Sequence, residues 1–352
     1  MAIILRAFVA ALVLLAAAAP AAFAQPASIT SLATKSSLSP DDRNRIEDFA
    51  SGWTDRLAAE TTPPEEIRRV RGKLLEPVRS PGVSGVFRDQ YSRALVPKLE
   101  TIAAGADAHR AVNALIVTSG LGSERALDLL LDHASVRDEP ARFRRLAAAR
   151  GCSVLFSRGP LDDINANRIL GAARRLQEAA REETDAVTLR HQLQAILAAA
   201  EELPPPNAAG QANIRTFFIR ALDGVADAVG NSATERPVDR LAAVYPVLNA
   251  LRAYFLELGS AEQRTFGRQL GPVLQKMLDA TDTRWDDIQS RPRPDNQPGN
   301  FIELAERFLS TIDAIVRGGR PPSTQLRAAW QSKNRDQYRA DLQAWQSVVS
   351  SY

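Results

Sequence analysis

Disulfide bonds within this chain are excluded, because Cys152 is the only cysteine among its 352 residues. Stability must then come from packing. Histidine is almost as scarce: His109, His133 and His191 are scattered, and no His-Glu-x-x-His run occurs, so the usual zinc arrangements are excluded. Neither a metal nor a cofactor is expected. Lysine is reduced to Lys35, Lys73, Lys98, Lys276 and Lys333, and none has Ser or Thr three residues earlier, which removes the Ser-x-x-Lys signature. Gly82-Val83-Ser84-Gly85 lacks the Gly-x-Ser-x-Gly spacing of a hydrolase elbow, and Gly120-Leu121-Gly122 lacks the third glycine of a dinucleotide fingerprint. No Asn-x-Ser/Thr sequon and no alternating strand pattern occurs. The net charge of +3 is too small for a nucleic-acid footprint, so no nucleic-acid partner is expected.

What is present begins with an export signal. Arg6 is the only charge before an apolar run from Ala7 to Ala19, Pro20 breaks that run, and Ala22-Phe23-Ala24 forms a small-x-small cleavage site. Residues 1–24 therefore read as a signal peptide, with Gln25 as the mature N-terminus. The apolar run is well short of the roughly 20 residues a bilayer span needs, so no transmembrane segment should remain after cleavage. The expected location is periplasmic or secreted, in a bacterium.

Residues 25–38, rich in Ser, Thr and Ala without periodicity, read as a flexible leader. Ser39-Pro40-Asp41-Asp42 then has the form of a helix start, with Ile46, Phe49, Trp53 and Leu57 on one stripe. Apolar spacing of three and four continues almost unbroken, and the division it predicts is a helical array over 39–203, a linker at 204–207, a helical continuation over 208–280, a second linker at 281–300 and C-terminal helices over 301–352. Thr62-Pro63-Pro64-Glu65-Glu66 starts a second helix; others are expected at about Ala108 to Ser119, Val238 to Leu258 and Gln325 to Val349. Pro246 and Pro272 should kink their helices or mark boundaries. Cys152 lies among apolar residues at helical spacing and reads as a buried small hydrophobe. Three of Trp53, Trp285, Trp330 and Trp345 fall on apolar stripes, which favours core positions over sugar stacking. The acid pairs Asp162-Asp163 and Asp286-Asp287 read as first-turn or linker residues, since neighbours on a helix diverge by about 100°.

Within Phe87 to Phe156, Ala126-Leu127-Asp128-Leu129-Leu130-Leu131 is followed by Asp138-Glu139-Pro140-Ala141-Arg142-Phe143-Arg144-Arg145-Leu146-Ala147-Ala148-Ala149. A leucine-rich helix, a turn with Asp and Pro, then an apolar residue, Arg and an alanine pair resembles the HEAT and armadillo class of α-solenoid repeats. Phe143-Arg144 stands where Val-Arg is common, and one extra residue separates it from Pro140. The resemblance implies stacked antiparallel helices with a long concave surface suited to protein or peptide recognition. An irregular helical array is the competing all-α structure.

The functional expectation is an exported, non-enzymatic binding or scaffolding protein with a protein or peptide partner. Its rivals are a metal-independent enzyme on an α/α scaffold, such as a polysaccharide lyase, and a purely structural envelope protein. Tyr91, His109, Arg110 and Asn113 are the catalytic candidates for the enzyme reading, because such a lyase uses tyrosine, histidine, arginine and asparagine without a metal. His109 and Asn113 share one helix face, close to the core-facing Val112, Leu115 and Ile116. A structural role is the simpler reading of that pair.

Overall fold

The computed structural model describes residues 26–203, 208–290 and 297–352. Fifteen α-helices and no strand lie among them. Short polar side chains start many of these helices by accepting the first free backbone N–H groups. Ser39 forms a reciprocal capping box with Asp42 at the head of α1 (Pro40–Ala58). After α2 (Pro64–Leu75), the side chains of Ser84, Asp107 and Ser123 each accept one backbone N–H at the heads of α3 (Gly85–Ala104), α4 (Ala108–Ser119) and α5 (Glu124–Asp132). Next come α6 (Arg142–Arg158), α7 (Ala166–Glu182), α8 (Ala186–Glu202), α9 (Ala208–Gly230), α10 (Pro237–Glu257) and α11 (Ser260–Thr283). The short α12 (Trp285–Gln289) precedes α13 (Gln297–Val316), α14 (Leu326–Gln331) and α15 (Arg335–Val349).

Two layers result. The odd-numbered helices α1, α3, α5, α7, α9 and α11 pack each on the next, while α2, α4, α6, α8 and α10 form a parallel row beside them. Ridges at three- and four-residue spacing bury one side of each helix against its hairpin partner and flanks against its layer neighbours. One contiguous hydrophobic cluster runs from Ile29 to Val349. This alternation is compatible with a helical repeat. No helix among the described residues is long and apolar enough to cross a membrane.

Several expectations need correction. The leader expected at residues 25–38 packs on the fold where it is described: Ile29, Leu32, Ala33 and Leu38 are buried in the cluster, through a 3-10 turn at Thr30–Leu32. Ser84 donates from its backbone to the Ala33 carbonyl at 2.8 Å and from its hydroxyl to the Lys35 carbonyl at 2.6 Å. Lys35 also bonds both oxygens of Asp42, which, with the Ser39 amide, hold that carboxyl down at about 2. Gly52 lets the Pro26 ring approach α1, since a Cβ there would lie 2.6 Å from Pro26 Cγ. A turn and extended chain have no 3.6-residue period, so the buried residues left no stripe to read.

The linker expected at 281–300 is also largely structured. Helix α11 continues to Thr283, α12 buries Trp285 and Ile288, and α13 starts at Gln297, whereas residues 291–296 lie outside the described residues. Residues 204–207, expected as a linker, and residues 1–24, expected as a signal peptide, lie outside them too. Pro246 and Pro272 are not boundaries: α10 and α11 run through them, as α3 runs through Pro97. The helix expected from Gln325 to Val349 is two helices, because Lys333 adopts a φ of 58° and Asn334 caps a new start. Thr62 does not cap α2; its hydroxyl donates to the Arg56 carbonyl.

Candidate functional site

Tyr91, on α3, is buried, stacks on Phe87 at 5.5 Å and donates its hydroxyl to the Leu74 carbonyl at 2.7 Å. Burial pushes its phenol well above the usual range. His109 is exposed in the first turn of α4. Arg110 reaches back to the carbonyls of Ala59 and Glu60, at 2.9 and 3.1 Å, and so ties α4 to the turn between α1 and α2. Asn113 is buried, accepts from Arg71 Nη1 at 2.9 Å and donates to the His109 carbonyl at 2.8 Å. The four candidates therefore do not converge on one cavity: one faces the core, one faces solvent, and two bond to neighbouring helices or turns. Asn113→Ala should cost about 1–3 kcal/mol by leaving the Arg71 guanidinium without its acceptor, while exposed His109→Ala should stay within about 0.5 kcal/mol. Urea denaturation compares them; equal effects would remove the structural role of Asn113.

A cleft of about 640 Å³ lies at the starts of α3 and α5 and beside the turn that precedes α7. Arg88, Arg93, Arg125 and Arg168 line it together with Asp89, Glu124, Asp128 and Asp163. These charges largely satisfy one another. Arg88 bonds Asp163 at 3.0 Å, Arg93 bonds Asp89 at 2.8 Å, and Arg168 bonds Asp128 and approaches Glu124 at 3.9 Å. No carboxylate of the wall is left without a cation, and Ser123 is spent on the α5 cap. Among the described residues no group of three His, Cys, Asp or Glu could hold a metal ion.

Gly122 in this wall shows why glycine stands there. Its φ is +60°, and a Cβ would lie 2.5 Å from Pro160 Cδ. Gly122→Ala should therefore destabilise the fold by about 2 kcal/mol or more, from the left-handed backbone and the overlap together. An unchanged urea midpoint would show that the Pro160 turn yields freely.

Sequence reasoning did not single out the polar centre that joins the turns. Arg145 on α6 and Glu183 before α8 are 5% and 0% exposed as side chains and form a two-bond pair, Nε to Oε2 at 2.9 Å and Nη2 to Oε1 at 3.2 Å. Arg145 Nη1 also donates to the Glu139 and Pro140 carbonyls, and Glu183 Oε1 accepts from the Thr184 and Asp185 amides. Arg144 donates to the Gly105 carbonyl, and Arg284 to those of Asn231 and Thr234. Arginines of later helices thus hold earlier turns along the array. Only the arginine-dense start of α6 hinted at this, and periodicity does not say which arginine turns inward.

Cys152 is buried, and burial pushes its thiol up to about 12, which agrees with an inert core residue. All four tryptophans are buried as well. No protein-family model matches the chain, and no curated protein matches it. The class defined by the fold is an all-α, two-layered helical array.

Proposed function

We propose that this is an exported, non-enzymatic binding or scaffolding protein that presents the surface of a HEAT-like helical array to a protein or peptide partner. The observation that carries the reading is where polar chemistry is spent. Around the cleft at the starts of α3 and α5 every carboxylate faces an arginine, and the catalytic candidates are buried, solvent-facing or bonded to turns. Meanwhile Phe143 on α6 and Val187 on α8 are 36% and 37% exposed, although they are large apolar side chains. Stacked helix pairs offer such surfaces over a long span. The packing of each helix on the one two places along the chain supports the repeat reading, and the Ala22-Phe23-Ala24 site supports export.

Cross-linking in the cells that make the protein, followed by purification, tests the binding role. A defined protein joined to the chain is the expected result; uncoupled chain alone, with turnover of an acidic glycan, would replace this reading by the enzyme. Intact mass of the same material should correspond to a start at Gln25.

A further inference from the structure

Helices α4, α6 and α8 lie side by side, and α4, α6 and the first half of α8 keep exposed or half-buried residues on the side away from the odd-numbered layer. Their composition is one-sided. Helix α6 holds Arg142, Arg144, Arg145, Arg150 and Arg158 with no acidic residue, α4 has no acidic residue, and α8 has none before Glu201 at its end. The acids that pair with the α6 arginines come from the flanking turns: Asp185 with Arg142, Glu139 with Arg144 and Glu183 with Arg145.

Away from the odd-numbered layer, Arg150 is exposed on α6 and Arg190 and His191 are half-buried on α8, and the two helices pack against each other along their length. Burial, then the charges of Arg190 and Arg150, lower the basicity of the His191 imidazole. Arg190 Nε and His191 Nδ1 are buried without a hydrogen-bond partner, and neither arginine has an acidic partner among the described residues. Around this cationic centre lies an apolar margin of half-buried or exposed side chains: Phe143, Leu146 and Val154 on α6, Val187 on α8, and Val112 and Ile116 on α4. Phe143, Leu146, Arg150 and Val154 follow one another at three and four residues along α6, as Val112 and Ile116 do along α4, which is the spacing of an amphipathic strip.

We propose that this side of α4, α6 and α8 takes an acidic, amphipathic segment of a partner protein, its carboxylates paired with Arg150 and Arg190 and its apolar residues laid on Phe143, Leu146, Val154 and Val187. The proposal rests on the binding reading above and narrows it. Charge complementarity selects the occupant. Uncompensated guanidiniums pair well with carboxylates, and the apolar margin rewards a segment that carries apolar side chains between its acids. A nucleic acid would leave that margin unused, and the chain's net charge of +3 gives it little general attraction.

A random short-peptide library displayed on phage, panned in parallel on the full mature chain and on its Arg150→Glu/Arg190→Glu variant, provides the test. Enriched peptides should carry net negative charge and large apolar side chains, and should bind the variant on the order of ten-fold more weakly or worse. An unchanged melting temperature shows that the variant is folded; Arg150→Gln/Arg190→Gln replaces it if it is not. Enrichment of basic or uncharged peptides, no enrichment over bare support, or equal binding to both proteins overturns the proposal. The two failures stay distinct: a cross-linked cellular partner unaffected by the double variant removes this face and keeps the binding role, whereas absence of any cross-linked partner removes that role itself.

Discussion

Arg145→Met should lower the free energy of unfolding by about 3–5 kcal/mol, because it leaves the Glu183 carboxylate buried without its cation. Glu183 is fully buried, and Arg145 supplies two of its bonds. Two acceptors, the Glu139 and Pro140 carbonyls, lose a donor in the same step. Water does not reach the carboxylate to take over, so the cost is far larger than for an exposed pair such as Arg174 and Glu178. The double variant Arg145→Met/Glu183→Leu should recover part of the loss, since an apolar pair of similar volume demands no desolvation of charge. Recovery stays incomplete because the Thr184 and Asp185 amides lose their acceptor. Urea denaturation of the three proteins measures this, and a single-variant loss below 1 kcal/mol would mean that water solvates Glu183 after all.

Trp345→Ala is the second large effect, expected at about 3–5 kcal/mol from lost transfer and a residual cavity. The indole on α15 is fully buried and donates to Thr324 Oγ1 at 2.9 Å. Thr324 in turn donates to Glu306 Oε1, which also accepts from the Leu326 amide. One side chain therefore joins α15, the turn before α14, and α13. Trp345→Phe keeps most of the packing and loses the polar link, so it should cost on the order of 1–2 kcal/mol. Thermal melts separate the two variants; equal losses would assign the whole role of Trp345 to its hydrogen bond.

Helix existence was legible wherever a stripe ran against one core. Ala108 to Ser119 was expected and is α4 to the residue, because Asp107 and Gly120 mark its ends. The same signal misled at the C-terminus. Leu326, Trp330, Tyr338, Leu342 and Trp345 keep helical spacing across a break at Lys333, since α14 and α15 bury their apolar residues in the same cluster. Trp285, Trp330 and Tyr338 meet there with ring centroids 4.6 and 5.1 Å apart from Trp285. The 281–300 segment read as linker because proline and asparagine near its end outweighed two buried apolar residues. Candidate site residues fared differently. Tyr91 was identified by type, and type does not reveal that its hydroxyl is bonded inside the core. Arg150 and Arg190 are forty residues apart, and only the lateral packing of α6 on α8 sets their two helices side by side.

The layered packing has a mechanical consequence. Up to α11, contacts run chiefly between helices one or two places apart in the chain, so little long-range pairing fastens one end to the other. Pulled by its termini, such a molecule should give way pair by pair at modest force, with each released hairpin lengthening the tether, rather than rupture in one event. Arginines that hold the preceding turns would then act as serial catches. Such an array should extend as a compliant spring, gaining length with each helix pair that is released.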